Sequence, residues 1–248
     1  MKIFVCVNHV PDTETKVKVA SDGRSVDPTG VNYVINPFDE LAVEEGLQLK
    51  QKHGGEVVAV SLGGDAHKET LRKTLAMGVD KAVLLKDGTP RDSFSVARAL
   101  ADFLKEQSPE IVLFGKQSID SDNAAVAPMV AEMLGIPSVT VVVKLEIDGT
   151  KVTAEREIEG GHEKVETQLP VVIAAQKGLN EPRYPSLKGI MAAKSKPIEE
   201  LQPSPASNKV EVLVMRKPGA KSAGKIIGND ASAVPELVRL LHEEAKVI

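Results

Sequence analysis

The sequence predicts an α/β protein: a doubly wound, mostly parallel sheet with a small antiparallel section and a C-terminal arm. Three observations lead there. Short apolar runs alternate with longer amphipathic ones through the first half of the chain, as strands joined by helical crossovers require. Those apolar runs are continuous rather than alternating, which suits strands covered on both faces. The second half then changes to strand-like runs with short connections, as antiparallel pairing allows.

Ile3 to Val7 is the first buried strand. Asp39 to His53 sets Leu41, Ala42, Leu47 and Leu49 among charges and predicts the first helix. Val57 to Leu62, closed by Gly63-Gly64, is the second strand. Asp65 to Met77 carries Leu71, Leu75 and Ala76 at helical spacing, with Gly78 where a C-cap belongs. Ala82 to Leu85 is a strand, and Ser93 to Leu104 is a helix with Val96, Ala97, Leu100 and Leu104 on one face. Ile111 to Phe114 is a strand stopped by Gly115, and Asp122 to Leu134 is a helix ended by Gly135 and Pro137. Val139 to Leu145, Lys151 to Ile158, Lys164 to Gln168 and Val171 to Ala175 follow as strands, with hairpin signals at Asp148-Gly149 and Gly160-Gly161. A basic stretch around Lys188, Lys194 and Lys196 leads into Pro203, Ser204, Pro205 and Ser207. A strand-like run, Val210 to Met215, and a helix, Pro235 to His242, complete a segment too poor in apolar residues for its own core. The expected division is an α/β domain over 1–200 and an arm over 201–248.

Composition narrows the function classes. The net charge of -4 disfavours nucleic acid as a partner, because phosphate recognition asks for a basic surface. Cys6 is the only cysteine, which excludes an internal disulfide and a Cys-rich zinc site. His9, His53, His67, His162 and His242 show no metal-ligand spacing. No run approaches the roughly 18 apolar residues of a membrane span, and the N-terminus lacks the long apolar stretch of a signal peptide. The expected compartment is the cytoplasm, or the mitochondrial matrix if a transit peptide has been removed. The absence of a catalytic motif favours a binding or carrier protein over an enzyme.

In a doubly wound sheet, ligands sit beyond the carboxyl ends of the strands where strand order reverses. That singles out the loops after Val7, Leu62 and Phe114. The third, Gly115-Lys116-Gln117-Ser118-Ile119-Asp120-Ser121-Asp122-Asn123, runs directly into a helix. Gly115 lets the backbone approach a ligand, Asp122 or Asn123 can cap the helix, and the amides of Ala124, Ala125 and Val126 can hold a phosphate. An ordinary capped helix start accounts for the same pattern, and Asp120 and Asp122 oppose an anion unless they point away. In Asn36-Pro37-Phe38-Asp39-Glu40, Asp39 is the expected cap and Phe38 an apolar lid; a plain capping loop is the competing reading. Gly219 to Lys225 fits G-x-x-x-x-G-K but is rejected as a phosphate loop. Ile226 stands where Ser or Thr should bind Mg²⁺, and Gly228 and Pro235 disfavour the helix.

Several blocks together resemble the beta subunit of electron transfer flavoproteins. They are Lys2 to Val7 with Val10-Pro11-Asp12, Asn36 to Asp39 with Ala42-Val43-Glu44-Glu45, Leu75 to Asp80, and Gly115 to Asp120. The most specific is Glu155-Arg156-Glu157-Ile158-Glu159-Gly160-Gly161, followed by Leu179 to Tyr184 and Leu187 to Lys194. The blocks keep family order over most of the first 200 residues. The resemblance implies a heterodimer with an alpha subunit that holds the redox-active FAD, while this chain buries one structural AMP. Carried over, that AMP touches Cys6, Asn36, Pro37, Phe38, Asp39, Leu62 and Gly115 to Val126. Phe38 also lies near the flavin edge, and Glu157 pairs with an arginine of the flavin domain. Leu187 docks into flavin dehydrogenases, whose electrons pass on to an acceptor such as a quinone oxidoreductase. The arm packs on the alpha subunit. Two departures stand out: Ala124, Ala125 and Val126 replace the polar residues some relatives carry beside the phosphate, and Thr13 replaces a tyrosine that can face the flavin. The alternatives are an electron-bifurcating relative with FAD in the AMP position, and a free-standing adenine-nucleotide sensor. An enzyme acting on a nucleotide lacks an acid, a base and a metal.

Overall fold

A computed structural model describes residues 1–219 and 223–248, so the glycine-rich run Gly219 to Lys225 lies partly outside the described residues. The elements in order are β1 (Lys2–Cys6), β2 (His9–Pro11), β3 (Tyr33–Ile35), α1 (Pro37–His53), β4 (Glu56–Gly63) and α2 (His67–Met77). Then come β5 (Lys81–Lys86), α3 (Ser93–Gln107), β6 (Ile111–Gly115), α4 (Val126–Leu134), β7 (Ser138–Asp148), β8 (Lys151–Ile158), β9 (Gly161–Gln168) and β10 (Val171–Ala175). α5 (Leu187–Ser195), β11 (Ile198–Leu201), a 3-10 turn (Ala231–Ala233) and α6 (Val234–Glu243) complete the chain.

Nine strands form one sheet in the order β11-β5-β4-β1-β6-β10-β7-β8-β9. The first seven are joined by parallel pairings, and β7-β8-β9 form the antiparallel section at one end. β1 shows why its run has to be apolar throughout. Ile3 and Val5 pack with Leu41 and Leu47 of α1 and Leu71 and Leu75 of α2. Phe4 and Cys6 face the other layer, with Ala97, Leu100 and Leu104 of α3 and Ala127 and Val130 of α4. The strand is thus sandwiched between two helical layers. The hairpins turn where expected, with Gly149 and Gly160 at φ 58° and 82°.

Three expectations are corrected, and one pair of strands was not expected. α1 begins at Pro37, so Asn36 is its N-cap and Asp39 lies inside the first turn. α4 begins at Val126, four residues beyond the expected Asp122, because Asp122 and Ala124 adopt left-handed backbone at φ 51° and 49°. Val210 to Met215 forms no strand; its valines and Leu213 are exposed, and its amides reach only Asp92 from Val210 and the Gly23 carbonyl from Met215 among the described residues. A hairpin of β2 and β3, two strands of three residues, passed unnoticed because neither is long enough to show a period.

Candidate functional site

Strand order reverses between β1 and β6: the chain winds outward through β4 and β5, then returns to the other side of β1. Cys6 is the last residue of β1, Gly115 the last of β6, and Leu62 the last but one of β4. The three sites chosen from sequence therefore meet at the carboxyl edge of the switch point.

Asp39 stitches that edge together. One carboxylate oxygen accepts the Asn8 amide at 2.8 Å and the other accepts the Gly115 amide at 3.0 Å. It is a buried clasp between two strand ends and not the helix cap predicted for it. Burial pushes its pKa up to about 7, opposed by hydrogen bonds from Asn8, Asn36 and Gly115. Gly115 serves the same junction. A Cβ there would lie 2.5 Å from the nearer Asp39 oxygen and 2.6 Å from the Phe38 carbonyl carbon. Gly115 thus admits the first turn of α1.

The loop from Lys116 is held from below. Asn36, fully buried, donates from Nδ2 to the Gln117 carbonyl at 2.9 Å and accepts the Ile119 amide at 3.3 Å. Asn8 donates to Ser118 Oγ at 2.9 Å and to Asp120 at 3.3 Å. Gln117 donates to Asp122 at 2.7 Å, and Asn123 donates to Ser93. Neither Asp122 nor Asn123 caps α4, whose N-cap is Ala125 without a side-chain bond. Lys116 lies over the half-buried Phe38 ring, 5.0 Å from its centre. Ser121 is exposed.

Among the described residues, the amides of Asn123, Ala124, Ala125, Val126 and Ala127 find no acceptor. Ala124 is left-handed at φ 49°, and Ala125 is right-handed at φ -108°, ψ -28°. Consecutive residues of opposite hand turn their amides toward one concave side, a geometry that receives anions. Left-handed backbone is costly for alanine, so this conformation is held in place by its surroundings.

Three further features were missed in the sequence. The first lies beside Leu62. Ser61 donates to the Val7 carbonyl at 2.7 Å, and its oxygen sits 2.8 Å from His67 Nδ1. With the hydroxyl proton committed to Val7, His67 carries its proton on Nδ1 and leaves Nε2 as an acceptor. Burial, with a smaller push from His9, lowers His67 to about 4. His9 is bonded to Thr70 at 2.9 Å and stacks on Tyr33 at 4.9 Å. The second is at the block containing Glu157. Arg156 donates to the Thr140 carbonyl at 3.1 Å, beside Val141 at φ 62°, where the register of β7 with β10 breaks. Glu157 itself is exposed and accepts Gln176 at 2.7 Å. The third is a pair of α1 carboxylates. Glu44 and Glu45 are buried, and both are met by the segment before α5. α5 itself opens at Leu187, which is 84% exposed.

No group of three or more His, Cys, Asp or Glu among the described residues is placed to hold a metal ion. No helix among the described residues is long and apolar enough to cross a membrane. The electron transfer flavoprotein domain model matches residues 24–206. The electron transfer flavoprotein subunit beta of Bacillus subtilis (strain 168) is 45% identical over 259 residues, covering 100% of each chain. That of Bradyrhizobium diazoefficiens is 39% identical over 255 residues, again with 100% of each chain covered. The mitochondrial subunit beta of Oryza sativa subsp. japonica is 38% identical over 257 residues at the same coverage.

Proposed function

Since the chain belongs to the electron transfer flavoprotein family, as a beta subunit that pairs with an alpha subunit, we propose that it holds one structural AMP at the switch point. The run of unpartnered amides from Asn123 to Ala127, bent concave at Ala124-Ala125, carries this reading. It receives the phosphate through backbone alone, which fits the lack of polar side chains at Ala124, Ala125 and Val126. Cys6, Leu62 and the Asn36–Asp39 turn supply the remaining walls.

The electron-carrying group is the FAD of the alpha subunit. This chain adds no catalytic residue of its own: Phe38 with Lys116 stands toward the flavin edge, and Glu157 pairs with an arginine of the flavin domain. The arm after Leu201 packs on the alpha subunit. Support comes from α6, which rests mainly on the 3-10 turn before it and leaves Val234, Leu237 and Val238 exposed. Leu187 anchors flavin dehydrogenases, and electrons leave toward an acceptor such as a quinone oxidoreductase. The compartment is the bacterial cytoplasm or the mitochondrial matrix.

Acid release of the nucleotides from the purified heterodimer, followed by chromatography, tests the assignment. One AMP and one FAD per heterodimer are expected. Two FAD and no AMP would replace the assignment with an electron-bifurcating one.

A further inference from the structure

The exposed face of α5 is held from two sides by groups outside it. Leu187 and Met191 are 84% and 65% exposed, and their spacing of four residues within α5 puts them on one face, while Tyr184, three residues before the helix, is 95% exposed. Directly before them, Arg183 grips Glu44 of α1. Its Nε donates to one Glu44 oxygen at 2.7 Å, its Nη2 to the other at 2.8 Å, and its backbone amide adds a bond of 3.1 Å. The Glu44 side chain is 4% exposed, and Gln48 donates to it as well at 3.0 Å. Burial alone would raise Glu44, but the bonds from Arg183 and Gln48 outweigh it and hold the carboxyl below its usual range. Asn180 adds a second tie, donating to Glu45 at 2.9 Å and to the Leu41 carbonyl at 3.1 Å.

The far end of α5 is tied to α2. Arg72 donates to the carbonyls of Ala193 and Lys196, both at 2.5 Å. Lys196 donates to the Val79 carbonyl at 2.9 Å. Gly189 lies so close to α2 that a Cβ would meet the Ala76 carbonyl oxygen at 2.3 Å. Apolar residues so exposed, on a helix so firmly tied, point to a preorganised anchor. Lys188 and Lys194 flank this face, which suits a partner whose apolar pocket has an acidic rim.

From this geometry we infer that Glu44 and Arg183 are positioning residues for partner docking. Their clasp on α1 sets the Leu187–Met191 face of α5, with Tyr184 just before it, at the angle a flavin dehydrogenase with an apolar, acid-rimmed pocket requires. The inference rests on the docking role of Leu187. A two-pronged ion pair with a buried carboxylate gives direction as well as attachment, which a lysine in place of Arg183 cannot supply.

The test uses the heterodimer and a purified flavin dehydrogenase of the source organism, chosen because it reduces the wild-type heterodimer. Glu44→Gln keeps the shape and removes the charge. If the docking face then holds its pose about a tenth of the time, the KM of the dehydrogenase for the heterodimer rises about tenfold. FAD content and the rate of reduction by dithionite stay unchanged. Hydrogen exchange quickens in α5 but not in β1. Leu187→Ala alone also raises KM, and adding Glu44→Gln to it gives no further rise, because one residue acts through the other. If Glu44→Gln fails to assemble, Arg183→Lys decides, with a smaller KM rise expected. An unchanged KM in the deciding variant, or a full independent effect on top of Leu187→Ala, overturns the positioning role. An unchanged KM in Leu187→Ala overturns the docking reading itself, and the clasp proposal with it.

Discussion

Replacing Asp39 by asparagine alters one atom of a side chain whose two oxygens each accept a strand-end amide, from Asn8 at 2.8 Å and from Gly115 at 3.0 Å. Asparagine offers a single acceptor, so one of those buried amides faces a donor instead. The loss is about 1–3 kcal/mol. The more telling quantity is its pH dependence. Burial raises the pKa of Asp39 from an ordinary 3.8 to about 7. Between these values the folded protein keeps a proton that the unfolded chain has released. The side chain's contribution to stability is therefore full below about pH 4 and falls as pH rises through 7, by roughly 1.4 kcal/mol per unit. Asparagine does not titrate. The stability difference between wild type and Asp39→Asn should thus shift in favour of the variant by about 2–3 kcal/mol from pH 5 to pH 7. Urea unfolding of the heterodimer at fixed protein concentration measures it. A difference constant to within about 0.5 kcal/mol would show Asp39 ionised throughout, its hydrogen bonds overriding burial, and would refute the reasoning.

Three other outcomes are expected. Gly115→Ala forces a Cβ into the first turn of α1 and should cost about 1–3 kcal/mol while lowering nucleotide retention; unfolding curves and nucleotide content read both. His67, lowered to about 4 chiefly by burial, stays neutral from pH 5.5 to 8, so its ring signals should not move in NMR over that range. It contributes stability above its ordinary pKa that is lost as pH falls through the folded one; a ring titrating near 6.5 would deny its burial. A chain ending at Leu201 keeps β11 in the sheet and should fold, yet lose most of its co-purification with the alpha subunit. Undiminished co-purification would show that the arm is not the clamp.

Much of the fold was legible because its signals are local. Strands buried on both faces are apolar throughout, as in Ile3–Cys6 and Val171–Ala175. Gly78, Gly149 and Gly160 mark turns by their own conformational need. Errors arose where tertiary contacts decide. Asp39 has the composition of a helix cap, but the Asn8 and Gly115 amides claim it. Glu44 and Glu45 look like solvated helix charges until Arg183 and Asn180 arrive from far along the chain. The histidines His9 and His67 carry no spacing signal, since their contacts lie across the hairpin and α2.

The sequence by itself determined the α/β class, the strand-end loops at which to look, and the family, because each is written in periodicity, in turn residues or in ordered blocks. Only the tertiary structure decided which of those residues brace the fold and which keep amides without an acceptor among the described residues. It made Gly115 a seat for α1, Asp39 a clasp between strands, and the five amides from Asn123 to Ala127 a run without acceptors among the described residues, bent at Ala124-Ala125. The physical reason is that a hydrogen-bonding group is committed by the partner nearest in space, and for these groups that partner lies on another strand, helix or loop.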